Sequence, residues 1–219
     1  MSVRLIAPSS APRVLACALL IVAAALLAAG CAWANRLPQE EGLHPRLTPT
    51  TYLEEGKLVA FAVDTEPAGW REKNDFVPLP IAVLNKSLPS LTLTRESFTL
   101  VDSSGRRYAM ATVAEGRSIG GLTRIDFQMA RNFFEVIQTT YAGWNYEHAV
   151  FFPNTLDSPA YARRGLLRDR VELATRSWTT DMLYFPHPQG KLTNQRFELW
   201  LSAPELAEPV FIKFRVPSR

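Results

Sequence analysis

Two runs of alternating apolar residues near the C-terminus constrain the fold of this chain more than any other feature. Residues 197–201 and 210–216 place an apolar side chain at every second position, and a turn between Pro204 and Pro209 separates them. Because successive side chains of a β-strand point to opposite faces, a period of two indicates a strand with one buried face. The two runs therefore predict a pair of antiparallel strands that ends a β domain.

Shorter apolar runs predict further strands, at residues 57–63, 77–84, 91–93, 98–100, 108–112 and 181–185. Pro78 and Pro80 have no amide hydrogen to donate, so we expect the start of the second of these strands at a sheet edge or a bulge. Residues 102–105, Asp-Ser-Ser-Gly, have the composition of a hairpin turn. This series of short strands and turns predicts a mainly β protein with an antiparallel β-sandwich fold.

Residues 122–141 have a different period. Apolar side chains recur there every three or four positions, as one face of a helix requires, at Leu122, Ile125, Met129, Phe133, Val136, Ile137 and Tyr141. We predict one amphipathic helix over 122–141, inserted into the sandwich and covering an open end of its sheets. Pro153 and Pro159 break any long element in the stretch that follows.

The N-terminus is composed unlike the rest of the chain. Residues 1–13 contain Arg4 and Arg13 and no acidic residue, and residues 14–30 carry no charge. A positive segment followed by an apolar one is typical of a secretory signal peptide. The apolar segment ends in three small residues directly before Cys31.

This ending resembles the lipobox of bacterial lipoproteins, although Leu27 precedes the cysteine by four positions and not three. The resemblance implies that the Cys31 thiol receives a diacylglycerol, that the signal peptide 1–30 is removed, and that the new amino group is usually acylated too. In that family an Asp directly after the cysteine keeps the protein in the inner membrane. Ala32 at this position implies a lipid-anchored protein of the outer membrane that faces the periplasm.

Two alternatives to the lipobox remain open. One is an uncleaved transmembrane helix, for which seventeen uncharged residues are at the short limit. The other is an ordinary signal peptide that is cut after Ala34. Lipid on Cys31 would provide the stable membrane attachment that no other segment of the mature chain offers.

Composition bounds the mature chain, residues 31–219. Residues 31–51 contain three prolines and little periodicity, which predicts a tether, and residues 52–219 are predicted to form a single domain. Without Arg4 and Arg13 the 24 basic residues become 22, against 21 acidic ones. The net charge therefore gives no electrostatic basis for binding nucleic acid or an anionic lipid surface. Cys17 leaves with the signal peptide, so we expect no disulfide.

Segments 83–87 and 97–108 form a loose motif, Val-Leu-Asn-Lys-Ser followed by Ser-Phe-Thr-Leu-Val-Asp-Ser-Ser-Gly-Arg-Arg-Tyr. The motif is similar to one in small immunoglobulin-like domains of secreted bacterial lipoproteins. The resemblance implies an Ig-like sandwich and says little about activity, because one fold hosts many functions.

The sequence does not show the residue spacings that are typical of a catalytic or metal-binding site. The three histidines, His44, His148 and His187, are not spaced as metal ligands. Adjacent acids such as Glu54 and Glu55 point to opposite sides of an extended chain, and Asp102 is explained by its turn. We therefore expect no catalytic residue, no cofactor and no metal site.

Aromatic and arginine residues concentrate after the predicted helix. Both types are enriched at protein interfaces, and the candidate interface consists of Trp144, Tyr146, Phe151, Phe152, Arg163 and Arg164. The alternative is that the aromatic residues pack the helix onto the sandwich. These features favour a non-catalytic binding or assembly role in the cell envelope, with an envelope protein as the candidate partner. The alternative function is an envelope hydrolase whose carboxylates meet only in the folded protein.

Overall fold

The structure, a computed structural model, describes residues 37, 39–111, 115, 123–142, 147–148 and 170–218. The strands are β1 (Thr51–Glu55), β2 (Val59–Asp64), β3 (Phe76–Asn85), β4 (Ser90–Thr94), β5 (Phe98–Asp102), β6 (Arg107–Ala109), β7 (Glu147–His148), β8 (Arg170–Ala174), β9 (Ser177–Pro186), β10 (Arg196–Leu201) and β11 (Val210–Arg215). The helices are α1 (Thr123–Met129) and α2 (Arg131–Ala142).

The strands form sheets that pack as a sandwich. A five-stranded sheet has the order β1-β2-β3-β9-β7, a four-stranded sheet has the order β11-β10-β5-β6, and β4 pairs with β8. Each described pair of strands is antiparallel except β7 with β9. The prediction of a mainly β, antiparallel sandwich is confirmed.

Alternation along the strands places the core between the two larger sheets. The odd-numbered residues of β3 from Val77 to Val83 face this core, as do Leu183 and Phe185 of β9. The four-stranded sheet contributes the alternate residues of β10 and β11, among them Leu199, Ile212 and Phe214. This interior holds most of the buried apolar side chains among the described residues. Each fully buried aliphatic or phenyl side chain contributes about 1.5–3 kcal/mol to folding.

The C-terminal strand pair and the proline prediction are both confirmed. Strands β10 and β11 pair from Arg196 with Arg215 to Leu201 with Val210. Strand β3 pairs with β9 over its whole length, but its pairing with β2 begins only at Ile81. Pro78 and Pro80 therefore lie where β3 has one strand neighbour, and their missing amide hydrogens interrupt no ladder.

The predicted single helix is two helices. α1 and α2 meet at the fully buried Ala130 and cover the outer face of the five-stranded sheet, not an end of the sandwich. The buried stripe runs through Asp126, Ala130, Phe133 and Ile137, so it differs from the predicted one at its N-terminal end. Ile125, predicted to face inward, is 47% exposed. We name α1 and α2 together the helical cap.

Residues 39–50 of the predicted tether contact the sandwich. Leu43 is buried, and the amide of His44 donates to the carbonyl of Lys213 on β11 at 3.0 Å. The amide of Leu53 on β1 donates to the carbonyl of Pro45 at 2.9 Å. The segment therefore satisfies backbone groups on the edge strand of each large sheet, which an uncovered edge would leave open to other chains.

Candidate binding surface

The residues predicted to carry function lie outside the part of the chain that the structure describes. They are Cys31, Trp144, Tyr146, Phe151, Phe152, Arg163 and Arg164. The described end of α2, at Ala142, leads directly into the segment that holds the last six of them. The helical cap and the short strand β7 are thus the described elements next to the predicted interface in the sequence.

A buried polar network attaches α1 to the sheet. The Nε of Arg71 donates to Oδ1 of Asp126 at 3.0 Å, and a second guanidinium nitrogen pairs with the same oxygen. The hydroxyl of Tyr184, on β9, donates to Oδ2 at 3.1 Å. Both carboxylate oxygens of Asp126 are therefore partnered, as a buried carboxylate requires.

Burial sets the electrostatics of this network. Desolvation raises the pKa of Asp126, and the hydrogen bond and charge of Arg71 oppose that shift. Burial also raises the pKa of Tyr184, and the charge of Asp126 adds to the rise. The phenol therefore stays protonated and donates to Asp126, so the network orients α1.

With Asp126 pointing inward, neighbouring residues of α1 must point outward. Ile125 is 47% exposed and Phe127 is 38% exposed. The ring of Phe127 stacks on that of Phe134 with centroids 5.9 Å apart, and both rings line a shallow groove along the cap with Gln128 and Arg131. An apolar groove with arginine at its margin has the composition of a protein interface.

The sequence contained no clear signal for this surface. A single Asp between apolar positions of a helix is common, and its partners Arg71 and Tyr184 lie 55 and 58 residues away in the chain. The helical period identified most of the stripe, but assigning Ile125 to it required Asp126 to face solvent. In the structure Asp126 faces inward and Ile125 faces solvent, because Arg71 and Tyr184 bind the carboxylate of Asp126 in the interior.

The described histidine side chains are engaged in structural contacts. Nδ1 of His44 accepts the amide hydrogen of Lys213 at 2.8 Å, so the proton of the neutral ring lies on Nε2, which is 3.3 Å from Oε2 of Glu54. Nδ1 of His187 lies 2.7 Å from the carbonyl oxygen of Pro188 and must donate to it. In the described part of the chain, no group of three or more His, Cys, Asp or Glu residues could hold a metal ion.

The predicted turn at Asp102 is confirmed by its hydrogen bonds. Oδ1 accepts the amides of Ser104 and Arg106, and Oδ2 accepts the hydroxyl of Tyr108. Desolvation works against ionisation, but these hydrogen bonds outweigh it and lower the pKa of Asp102 to about 2. Gly105 has φ of +83°, the conformation for which glycine was expected there.

Another acid lies inside the sandwich. Asp181 pairs with Ile81 in the ladder and shares a face of β9 with the core residue Leu183. Its Oδ1 accepts the amide of Met182, while among the described residues Oδ2 and the hydroxyl of Thr179 have no hydrogen-bond partner. Burial raises the pKa of Asp181 well above its ordinary value. The side chain is 2% exposed among the described residues and therefore lies out of contact with solvent.

One motif counts against the expectation of no catalytic residue. Residues 116–120 read Gly-Arg-Ser-Ile-Gly, the Gly-x-Ser-x-Gly spacing of a nucleophile elbow. That elbow places the serine on a sharp turn that leads directly from a strand into a helix. Ser118 lies outside the described residues, and Glu115, directly before the motif, is helical and not part of a strand. The described surroundings therefore differ from the context that activates such a serine.

No protein-family model and no curated protein matches the chain. Among solved structures, the chain is similar to a "putative lipoprotein (ycdA)" of Bacillus subtilis subsp. subtilis str. 168, with a TM-score of 0.40 and 10% identity over 75% of this chain. It is also similar to the yjhA protein of Bacillus subtilis, with a TM-score of 0.37 and 9% identity over 74% of this chain. The chain spans 38% of the first neighbour's length and 95% of the second's.

Proposed function

We propose that this protein is a lipoprotein of the bacterial cell envelope that binds an envelope protein through its helical cap. The proposal is carried by the exposed Ile125 and Phe127 on a helix that Asp126 holds rigidly. Binding through a preorganised apolar surface costs little conformational entropy. The segment 143–169 follows the cap directly, so Trp144, Tyr146, Phe151, Phe152, Arg163 and Arg164 are proposed to extend the same surface.

The membrane attachment is proposed from Cys31 and the uncharged segment before it. Among the described residues no helix combines the length and the apolar character needed to cross a bilayer. Two or three acyl chains at Cys31 would make release from a membrane very slow. The residue after Cys31 is Ala32, which supports the outer membrane, with the domain in the periplasm, as the proposed location.

The anchor is tested by Cys31→Ser. We expect this variant to be released into the soluble periplasmic fraction and to lose labelled fatty acid. Ser104→Ala, on an exposed turn, serves as the matched control and should fractionate as the wild type does. Fatty-acid labelling that persists in Cys31→Ser would contradict the proposal.

The binding surface is tested by photo-crosslinking from Gln128, which lines the groove. We expect discrete adducts with an envelope protein, reduced by Phe127→Asp and absent when the crosslinker replaces Ser104. Phe127→Asp also removes the stacking contact with Phe134, so it should lower the free energy of unfolding by about 0.5–1.5 kcal/mol and leave the domain folded. Trp144→Ala with Phe152→Ala should reduce the same adducts, and loss of folding in that double variant would support the packing alternative.

The hydrolase alternative predicted from the sequence relies on carboxylates that meet in the fold, and the Gly-x-Ser-x-Gly spacing at 116–120 offers a serine nucleophile as a second route to it. A fluorophosphonate probe forms a covalent bond with an activated serine, and labelling of the wild type but not of Ser118→Ala would favour the hydrolase. A chain that takes up no probe, while its crosslinks from Gln128 persist, would favour the binding protein.

A further inference from the structure

The outer face of the four-stranded sheet collects cationic and aromatic side chains. Strands β5, β6, β10 and β11 turn their core residues inward, so the alternate residues point outward. These outward residues include four cations, Arg107, Arg196, Lys213 and Arg215, and one acid, Glu198. We name this surface the outer sheet face.

Among the residues that the structure describes, two of these cations have no acidic partner. Glu198 pairs with Lys213 at 3.2 Å, and Glu40 pairs with Arg215 at 2.5 Å. Arg196 donates to the backbone carbonyl of Glu41, and no carboxylate of the described residues forms an ion pair with Arg107 or Arg196. Among the described residues, Arg107 and Arg196 are therefore the cations of this face that no carboxylate neutralises in an ion pair, while Glu41 and Glu54 lie at its margin.

The cations flank a pair of aromatic rings. Trp200 and Phe211 lie directly opposite each other in the ladder and stack with centroids 4.9 Å apart. The guanidinium of Arg107 lies 5.7 Å from the centroid of Trp200, and the ammonium of Lys213 lies 5.5 Å from that of Phe211. Tryptophan beside basic residues is the composition that settles at the boundary between lipid and water.

The chain enters the domain beside this face. Glu40 and Glu41 contact Arg215 and Arg196, at one end of the β10–β11 pair. Gln39 lies eight positions after Cys31, and a fully extended chain of eight steps spans at most about 29 Å. Trp200 lies four residues along β10 from Arg196, about 14 Å at the rise of a strand. A lipid on Cys31 would therefore hold the outer sheet face within reach of the bilayer.

We propose that the outer sheet face rests on the anionic surface of the membrane that carries the Cys31 lipid. This inference rests on the proposed function, because an unanchored domain would bind too weakly through two free cations. Anchoring raises the effective concentration of headgroups at the face, so a weak contact suffices to orient the domain. The helical cap covers the opposite face of the five-stranded sheet, so this orientation directs the cap away from the membrane.

The test uses the acylated full-length mature protein in vesicles of phosphatidylethanolamine and phosphatidylglycerol. Because Cys31 is blocked by lipid, a single added cysteine can carry a fluorophore. Ala109→Cys, exposed on β6, reports on the outer sheet face, and Gln138→Cys, exposed on α2, is the matched control. Quenching by lipids with a nitroxide on the headgroup measures how close each fluorophore lies to the surface.

We expect severalfold stronger quenching at Ala109→Cys than at Gln138→Cys, and loss of the difference in high salt or in phosphatidylcholine vesicles. Arg107→Gln with Arg196→Gln should abolish it, whereas Arg124→Gln with Arg131→Gln, two exposed arginines of the cap, should not.

Equal quenching at the two positions, in protein that floats with the vesicles, would overturn the inference and leave the anchor intact. Displacement of the face by an added soluble polyanion at constant ionic strength, without return to the lipid, would assign it to a polymer and also overturn the inference. Protein that does not float with the vesicles would overturn the proposed anchoring.

Discussion

Removing the guanidinium of Arg71 tests how the helical cap is held. In Arg71→Met the carboxylate of Asp126 keeps only the hydroxyl of Tyr184 as a partner. The side chains of Arg71 and Asp126 are 10% and 1% exposed, so solvent cannot take over the lost contact. We expect the cap to loosen and the domain to lose stability.

The magnitude follows from that burial. Breaking a buried ion pair by removing one partner costs about 3–5 kcal/mol. A domain of this size loses about 2–4 °C in Tm for each kcal/mol, so we expect Tm to fall by about 6–20 °C. Urea unfolding of the chain without its signal peptide measures the free energy, and the fluorescence of Trp178, which packs in the same apolar cluster as α2, reports on the cap.

The matched control removes the whole network. Arg71→Met, Asp126→Leu and Tyr184→Phe together leave no charge and no hydroxyl at this site, and apolar replacement of a buried ion pair is often neutral or stabilising. The triple variant should therefore be more stable than Arg71→Met alone. A loss below about 1 kcal/mol in Arg71→Met, the range of exposed ion pairs, would refute the reasoning.

Two structural contacts give further predictions that pH measurements check. Asp102→Ala should lower the free energy of unfolding by about 1 kcal/mol at neutral pH. Because folding lowers the pKa of Asp102 from 3.8 to about 2, the difference between the two proteins should disappear as the pH falls through this range. A difference that stays constant with pH would contradict the turn assignment. Burial lowers the pKa of His44 in the folded state, so the wild type should lose stability relative to His44→Gln as the pH falls below the ordinary pKa of histidine. Equal urea midpoints for wild type and His44→Gln between neutral pH and pH about 5, below the unperturbed histidine pKa, would contradict that assignment.

Local patterns predicted most of the strands. The period of two in β10 and β11, and the acid and glycine of the turn at Asp102, are determined by neighbours within a few residues. Strands β1, β7 and β8 were missed, and β9 proved to be ten residues long. Most of β9 is buried, so it lacks the alternation by which a half-exposed strand is recognised.

The helical cap shows where local pattern stops being sufficient. Ile125 and Asp126 are adjacent, and either could begin an inward stripe with Phe133 and Ile137. The choice depended on Arg71 and Tyr184, which the chain brings to the same place only after β3 and β9 pair. A sequence read in local windows cannot contain that information.

The amino-acid sequence by itself determined the class of the fold, because the period of side chains along a strand is a local property. Only the tertiary structure decided which side chains lie on the helical cap and on the outer sheet face. It turned Asp126 inward, and it brought Arg107, Trp200 and Phe211 from three separate strands onto one surface. Surfaces of this kind arise from contacts between residues far apart in the chain, and those contacts form only when the sheets pair and pack.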